Sequence, residues 1–265
     1  MRTYGIDFSG ARRAGEKIWI ASGVAAHGTF WIDHCQRAAD LPGSAPDRDQ
    51  ALSALRSFIA SADAAVFGCD FPLGLPRSVV DAPTWAELLQ TFHQRYPTPD
   101  SFREECFRAA GGAELRRATD VETATPFSPY NLRLYRQTYF GIRDVVGPLV
   151  ARDLITVRPM LPYIPDRSIL IEVCPASTLK REGLYLPYKG ESPKQQAARE
   201  HILDALVANH SIQVAQPIRT VAIKDAAGDA LDSLIAASAA FRALPALASD
   251  PSPSATSAFE GHVYT

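Results

Sequence analysis

"YGIDFSGA", residues 4–11, is the stretch that decides the fold. The residues before Asp7 predict a buried strand, and Ser9 and Gly10 directly after it favour a turn. The aspartate therefore stands at the carboxyl end of a strand. One interpretation is a strand that stops in a turn, and the other is a carboxylate displayed for catalysis. The choice depends on whether the chain supplies partners for Asp7.

The order of the first elements follows outward from this stretch. The patterns predict strands at 2–8, 17–24, 29–35 and 64–69 and a helix at 47–61. The short glycine-containing links between the first three strands favour an antiparallel meander. Asp47 is the expected N-cap of the helix. The fourth strand ends at Asp70, where the prolines of "DFPLGLP" forbid its continuation.

The rest of the chain is predicted to complete one domain spanning residues 1–265. Polar helical segments between about 80 and 165 predict a helical insertion, and residues 168–177 return to a buried strand that ends in proline. The later patterns predict a helix from Ser192 to about 208, a strand-like run at 213–223, an Ala-rich helix at 225–243 and a flexible stretch at about 247–257.

Composition narrows the class of protein. The 265 residues are 46% hydrophobic with a net charge of −2, which provides for one sizeable core and no global attraction to nucleic acid or membranes. We find neither a signal peptide nor a run of about 18 apolar residues, and the four scattered cysteines predict reduced thiols. We therefore expect a cytoplasmic protein with no membrane partner. The sequence leaves its oligomeric state open.

Three acids in "KDAAGDALDSLIAA" have the spacing of one helical face: Asp225, Asp229 and Asp232. Structural roles are open for the first two, because Asp225 could be an N-cap and Asp229 lies near the positive helix N-terminus. Asp232 is predicted two turns in, where aspartate is a poor helix former. Gly228 also weakens a helix, so we expect this helix to approach another element closely.

Acids also mark the predicted strand ends, at Asp7, Asp70 and Glu172. Clustered carboxylates without histidines favour hard divalent cations, and Mg²⁺ or Mn²⁺ is the expected cofactor. Two such ions about 3.5–4 Å apart can activate a water and stabilise the leaving oxygen of a phosphodiester. The histidines have no zinc-site spacing. The sequence therefore predicts a carboxylate metal site.

The pattern "GIDFSGA … CDFPLGLP … IEVCPAS … GDALDSLIAA", closing near "EGHVY", resembles an uncharacterised family of predicted nucleases with the RNase H fold. The resemblance implies an α/β fold with an RNase H-like mixed five-stranded sheet flanked by helices. The site residues that it implies are Asp7, Asp70, Glu172, Asp229 and Asp232. The first predicted helix lacks a clear glutamate, and the acidic pair on the last helix is more similar to the Holliday-junction resolvase branch.

Two basic stretches with interleaved aromatic residues predict where nucleic acid would bind. The candidates are Arg133, Arg136 and Arg143 in "YNLRLYRQTYFGIR", and Lys180 and Arg181 in "LKREGLYLPYKG". Arginine edges beside aromatic rings suit phosphates and unstacked bases. The alternative for the first stretch is an amphipathic helix packed on the core with a solvated basic edge. We expect the insertion to form a cap beside the carboxylates.

Three functions are compatible with these patterns. The first is a divalent-metal-dependent nuclease that hydrolyses phosphodiester bonds. The second is a non-catalytic nucleic-acid or protein binding module on the same fold, with the acids as caps and turn residues. The third is an actin-like or sugar-kinase-type ATP-binding protein. That class needs two copies of the fold and glycine-rich phosphate loops, which "GIDFSGA" and "AAGGAE" do not supply.

Overall fold

The protein is an α/β structure with one mixed sheet flanked by helices. The computed structural model describes residues 1–249 and 252–265. Its strands are β1 Arg2–Asp7, β2 Trp19–Ala26, β3 Thr29–Arg37, β4 Val66–Asp70, β5 Ile155–Val157, β6 Ser168–Val173, β7 Ile212–Val214 and β8 Val263–Tyr264. Its helices are α1 Ala14–Lys17, α2 Arg48–Ala60, α3 Trp85–Arg95, α4 Pro99–Ala109, α5 Ala118–Glu122, α6 Tyr135–Phe140, α7 Gly147–Ala151, α8 Pro175–Arg181, α9 Pro193–Asn209, α10 Gln216–Lys224, α11 Asp229–Ala248 and α12 Ser257–Glu260.

The sheet has eight strands in the order β5-β6-β4-β1-β2-β3-β7, with β8 paired to β6. The prediction of five strands is therefore wrong in number, although all five predicted strands are present. Of the three further strands, β7 is the start of the strand-like run predicted at 213–223, and β5 and β8 have only three and two residues. Such short runs carry too little periodicity to be recognised, and β5 lies inside the range predicted as a helical insertion.

Strand β1 lies at the centre of the sheet and brings the first two acids together. It pairs antiparallel with β2 and parallel with β4, with Asp7 in register with Asp70. Neighbouring strands are about 4.8 Å apart, so these two residues are adjacent at the carboxyl ends of parallel strands. The predicted meander of the first three strands is confirmed.

The two faces of the sheet pack against different helices. Tyr4 and Ile6 on β1 join a core with α2 and the segments between β4 and β5. Gly5 faces the opposite side, where an added Cβ would lie 2.0 Å from the backbone nitrogen of Ala237 on α11. This absence of a side chain lets α11 lie directly on the sheet. The predicted close approach of this helix is confirmed, and the sheet side of the contact is Gly5.

Helix α11 begins later than the sequence predicted. Its N-cap is Gly228, which has a left-handed φ of 79°, and an added Cβ there would also lie 2.9 Å from the ring of Tyr188. Asp225 lies outside the helix, although its Oδ2 accepts a hydrogen bond from the nitrogen of Ala230 at 2.9 Å. Asp232 is therefore in the first turn, not two turns in, where the helix dipole favours an acid.

Helix α11 is long and apolar enough to cross a membrane, with a mean hydropathy of 1.3 over 18 residues. However, 72% of that 18-residue segment is buried inside the molecule. A core helix passes the same test.

Asp47 is confirmed as the N-cap of α2, because its side chain accepts from the nitrogen of Gln50. The strand-like run 213–223 is wrong beyond its start, since only Ile212–Val214 is strand and α10 follows.

The segment between β4 and β5 contains the helices α3 to α7. A π-helical segment, Gly141–Val146, joins α6 to α7. Gly141 in this segment packs against the ring of Phe71, directly after Asp70. Of the stretch predicted as flexible, 247–257, the first two residues belong to α11 and the last begins α12, while residues 250–251 lie outside the described residues.

Candidate functional site

Four aspartates converge on one small cavity at the carboxyl ends of β1 and β4. Asp7 and Asp70 come from the sheet, and Asp229 and Asp232 come from the first turn of α11. The cavity measures about 220 Å³ and is lined by Asp7, Phe8, Ser9, Lys17, Asp70, Gln137, Lys189, Asp229 and Asp232. Gly5 explains this convergence, because it lets the helix carrying the second pair lie on the strand that ends in Asp7.

The carboxylates of Asp7 and Asp70 have no directly bonded partner among the described residues, although the charge of Lys189 acts on both. Within residues 1–249 and 252–265, neither accepts a hydrogen bond or forms an ion pair. Burial first, then the charges of Asp232 and Asp70, hold the pKa of Asp7 well above its ordinary range, and Asp7 is only 8% exposed. Burial and then the charge of Asp232 raise the pKa of Asp70 to about 8. These two carboxylates therefore need a proton or a cation.

Asp229 and Asp232 are held by neighbouring side chains. Lys189 Nζ lies 2.7 Å from Asp232 Oδ2 and 3.5 Å from Asp229 Oδ1. The Tyr188 hydroxyl donates to Asp232 Oδ1 at 2.6 Å. Burial raises the pKa of Asp232, and Lys189 acts in the opposite direction. Burial lowers the pKa of Lys189, but the charges of Asp232 and Asp7 raise it above its ordinary value.

A buried arginine holds the loop that carries Lys189 by hydrogen bonds to its backbone. Arg199 is 2% exposed, and its Nη1 donates to the carbonyls of Tyr188 at 2.6 Å and Gly190 at 3.0 Å. The nitrogen of Gly190 donates to the carbonyl of Ala226 at 2.7 Å. The ammonium is therefore positioned by the fold, since the backbone on both sides of Lys189 is hydrogen-bonded.

The donor set fits a hard divalent cation in part. Oxygen ligands with unneutralised charge suit Mg²⁺ or Mn²⁺, and Asp7 and Asp70 supply them. In the described part of the chain, however, no group of three or more His, Cys, Asp and Glu side chains has the geometry to hold a metal ion. Lys189 already neutralises the acids on α11. Binding of a cation at Asp7 and Asp70, and the two-ion arrangement expected from the sequence, therefore remain predictions.

Glu172 lies close to these aspartates but has a different partner. Arg117 Nη1 donates to Glu172 Oε2 at 2.7 Å, and its Nη2 donates to Asp120 Oδ1 at 2.7 Å. The nitrogen of Leu73 donates to Glu172 Oε2 at 2.9 Å. The pKa of Glu172 is raised by burial, while Arg117 acts in the opposite direction. Glu172 does not line the aspartate cavity, but it lines the larger adjoining cavity together with Asp70 and Asp232.

A larger cavity of about 630 Å³ adjoins the aspartates. The two cavities share Asp70, Gln137, Lys189 and Asp232 in their walls, so they form one continuous cleft. The remaining walls come mainly from the loops after β4, α5 and β6 and from the 185–189 loop. Apolar and aromatic side chains dominate them, including Phe71, Phe127 and Tyr185, and the cations are Arg133 and Lys189.

The predicted nucleic-acid-binding residues lie in different places. Arg133 lines the larger cavity, and it precedes α6 instead of lying on it. Arg136 Nη2 lies 3.7 Å from Asp100 Oδ1, and Arg143 Nε lies 2.7 Å from Asp144 Oδ1. The three arginines therefore do not lie on one helix: Arg133 precedes α6, Arg136 lies on it and Arg143 lies in the π-helical segment that follows.

The two other predicted basic residues lie at the end of α8. Lys180 Nζ donates to the carbonyl of Ala124 at 2.7 Å and lies 5.3 Å from the ring centroid of Tyr185. Arg181 lines a separate cavity of about 620 Å³ and donates to the side chain of Thr265 at 2.9 Å. Binding of nucleic acid by any of the five residues stays a prediction.

Sequence reasoning missed three side chains at the site. Lys189 was expected only as part of a basic stretch, Gln137 was not singled out, and Tyr188 was read as an aromatic neighbour. Gln137 Nε2 donates to the carbonyl of Phe8, directly after Asp7. The only signal for Lys189 in the sequence is its position between Tyr188 and Gly190. In the structure this glycine has a φ of 132°.

Comparison of the chain with protein-family models, with curated proteins and with solved structures found no match in any of the three.

Proposed function

We propose that the protein is a divalent-metal-dependent nuclease with an RNase H-like fold, from the family of predicted nucleases that its motifs resemble. One observation carries this proposal: two adjacent strands end in carboxylates that no hydrogen bond or ion pair of the described residues satisfies, Asp7 buried and Asp70 half-buried, opposite two more on a helix. Buried charges are paired or coordinate metals. A carboxylate cluster beside a cleft with aromatic and basic walls suits a phosphodiester substrate.

Asp7 and Asp70 are the residues that would hold the ion. When bound, a divalent ion supplies a nucleophilic water at neutral pH and a charge that stabilises the leaving oxygen. Lys189 keeps a positive charge at Asp229 and Asp232, which lowers the repulsion that a phosphate would otherwise meet. Gln137 bonds to the backbone beside Asp7 and fixes the wall between the two cavities.

The experiment that tests this proposal uses Asp7→Asn, which keeps the shape of the side chain and removes its charge. We expect the parent to gain thermal stability with Mn²⁺ and to cleave labelled DNA or RNA in a screen of single-stranded and duplex substrates. Asp7→Asn should lose both effects and remain folded, with a melting temperature in EDTA no lower than the parent's, because one repelling charge is gone.

Asp49→Asn is the matched control, since this aspartate is exposed on α2 and its side chain is 83% accessible. It should behave like the parent in both assays. If Asp7→Asn cleaves as fast as the parent, the proposal is wrong.

A non-catalytic binding module is the second candidate, and the position of Lys189 favours it. A lysine paired with two of the four acids offsets one of their two charges and so reduces the need for a second ion. This candidate predicts nucleic-acid or protein binding without metal-dependent stabilisation and without cleavage. Melting with ATP in the same experiment addresses the actin-like alternative, for which a rise in melting temperature with ATP is the expected sign.

A further inference from the structure

We propose that the larger cavity binds an unpaired nucleotide of a single strand, with its base stacked on the exposed ring of Tyr185. This inference rests on the proposed function, because it names the substrate class of the same cleft. It concerns the 630 Å³ cavity that opens beside Asp70 and Asp232.

The walls have the chemistry of a base-stacking site. Tyr185 is 55% exposed, and Phe127, which is distant from it in the sequence, lines the same cavity. Each ring has a cation near it: the Arg133 guanidinium lies 5.5 Å from the centroid of Phe127, and Lys180 Nζ lies 5.3 Å from that of Tyr185. Aromatic rings interleaved with cations bind single strands through stacked bases and neutralised phosphates.

Arg133 is the arginine of its stretch that is free to meet a phosphate. Arg136 and Arg143 face Asp100 and Asp144, whereas no carboxylate of the described residues pairs with the Arg133 guanidinium. Lys180 lines the separate cavity of about 620 Å³ and bonds to a backbone carbonyl, so Arg133 is the cation that this side of the cleft offers to a phosphate. The positive charge of the cleft is therefore available on the side where the aromatic rings lie.

The size of the cavity selects against a double helix. A volume of about 630 Å³ is in the range of small-molecule sites and accommodates one unpaired nucleotide, not two paired strands. Asp70, Gln137, Lys189 and Asp232 line both cavities, so a strand whose base occupies the larger one has its neighbouring phosphodiester at the aspartates. Enzymes that act on a base cannot reach it inside a duplex, so they bind it as an unpaired nucleotide in a pocket.

The test measures binding, in Mn²⁺, of fluorescent single-stranded oligothymidylate to the full chain carrying Asp7→Asn, which prevents cleavage. Adding Tyr185→Ala should weaken binding about tenfold, as expected for the loss of one stacked base. Tyr185→Phe should bind like the Asp7→Asn protein, because the ring remains. Tyr163→Ala is the matched control, since Tyr163 is 43% exposed and does not line the cavity. Circular dichroism checks that all variants are folded.

Three results would overturn the inference: equal binding of the Tyr185→Ala and Tyr185→Phe proteins, tighter binding of duplex DNA than of the single strand, or binding of thymidine monophosphate as tight as that of the oligomer. The last result would identify a free nucleotide as the ligand. Single-strand binding that depends on the Tyr185 ring in a protein without cleavage supports the inference and rejects the nuclease. If the parent cleaves nucleic acid and Tyr185→Ala leaves the cleavage unchanged, the nuclease is supported and the inference is rejected.

Discussion

At the residue scale, charge is distributed unevenly among the four aspartates. The pair on α11 has Lys189 and Tyr188 as bonded partners, whereas no side chain of the described residues bonds to the pair on the strands, which Lys189 reaches only through its charge. Repulsion is therefore concentrated at Asp7 and Asp70, which are also the residues fixed most firmly by the sheet. A rigid pair of unneutralised carboxylates is a preorganised cation ligand, because the protein has already met the cost of bringing them together.

Stability without metal should depend on pH through Asp70. Its pKa is raised to about 8 by burial and by Asp232, whereas an unfolded aspartate titrates near 3.9. Between about pH 4 and about pH 8 the folded state holds a proton that the unfolded state has released, so stability falls as pH rises. We expect the melting temperature in EDTA to decline less steeply from about pH 5 to about pH 8 in Asp70→Asn than in the parent.

The same scan with Mn²⁺ should show the opposite trend in the metal effect. Metal ligands must be deprotonated, so the rise in melting temperature with Mn²⁺ should grow as pH increases. Asp49→Asn should follow the parent in EDTA and in Mn²⁺. Identical slopes for Asp70→Asn and the parent would contradict the raised pKa of this carboxyl.

At the scale of elements, the site depends on how closely α11 lies on the sheet. Gly5 on β1 and Gly68 on β4 are in register and both face this helix. An added Cβ at Gly5 would lie 2.0 Å from one backbone atom of α11 and 2.2 Å from another, the oxygen of Ser233. At Gly68 it would lie 2.9 Å from the oxygen of Ala236. The two glycines thus set the distance between the two aspartate pairs.

We expect Gly5→Ala to destabilise the protein more than Gly68→Ala does. Backbone atoms of a helix cannot move singly, so Gly5→Ala must displace α11 and should cost about 3 kcal/mol, against about 1 kcal/mol for Gly68→Ala. Urea unfolding measures the two values. Gly5→Ala should also reduce the stabilisation by Mn²⁺, because displacing α11 moves the charges of Asp229 and Asp232 away from the ion that Asp7 and Asp70 would hold. A larger cost for Gly68→Ala would show that the helix is not held by Gly5.

At the scale of the whole molecule, a buried ionic network joins segments that are distant in sequence. Arg117 is fully buried and reaches Asp120 on α5, Glu172 on β6 and the carbonyl of Glu260 at the end of α12. The Glu260 side chain in turn accepts from the backbone nitrogens of Arg77 and Ala118, at 2.8 Å each. This network fixes the C-terminal segment and the inserted helices against the sheet beside the aspartates.

Arg117→Met should destabilise the protein by about 3–5 kcal/mol, because it leaves the charges of Glu172 and Asp120 buried without a cation. Arg152→Met is the matched control at an exposed arginine and should change stability by no more than about 0.5 kcal/mol. Urea unfolding of both variants checks the difference. A loss below 1 kcal/mol for Arg117→Met would contradict the structural role of the network.

Glu172 shows which part of the site the sequence predicts and which part it does not. Its strand and its burial were predictable from "RSILIEVCPAS", and its acidity made it a plausible metal ligand. Its partner Arg117 is 55 residues away, in a segment that had only a helical pattern. Lys189 was missed for the same reason, since it approaches Asp229 and Asp232 across 40 residues or more. No local pattern records which charges will meet.

The sequence by itself determined the order of the main strands and helices and the placement of Asp7 and Asp70 at strand ends, because periodicity, capping and turn chemistry act over a few residues. It also determined that the last helix brings acids to the site. Only the tertiary structure decided that Glu172 pairs with Arg117, that Lys189 pairs with Asp229 and Asp232 and that, of the three arginines in its stretch, Arg133 lines the cleft. Those outcomes depend on packing between distant segments, where burial makes every unpaired charge costly and each partner is selected by proximity.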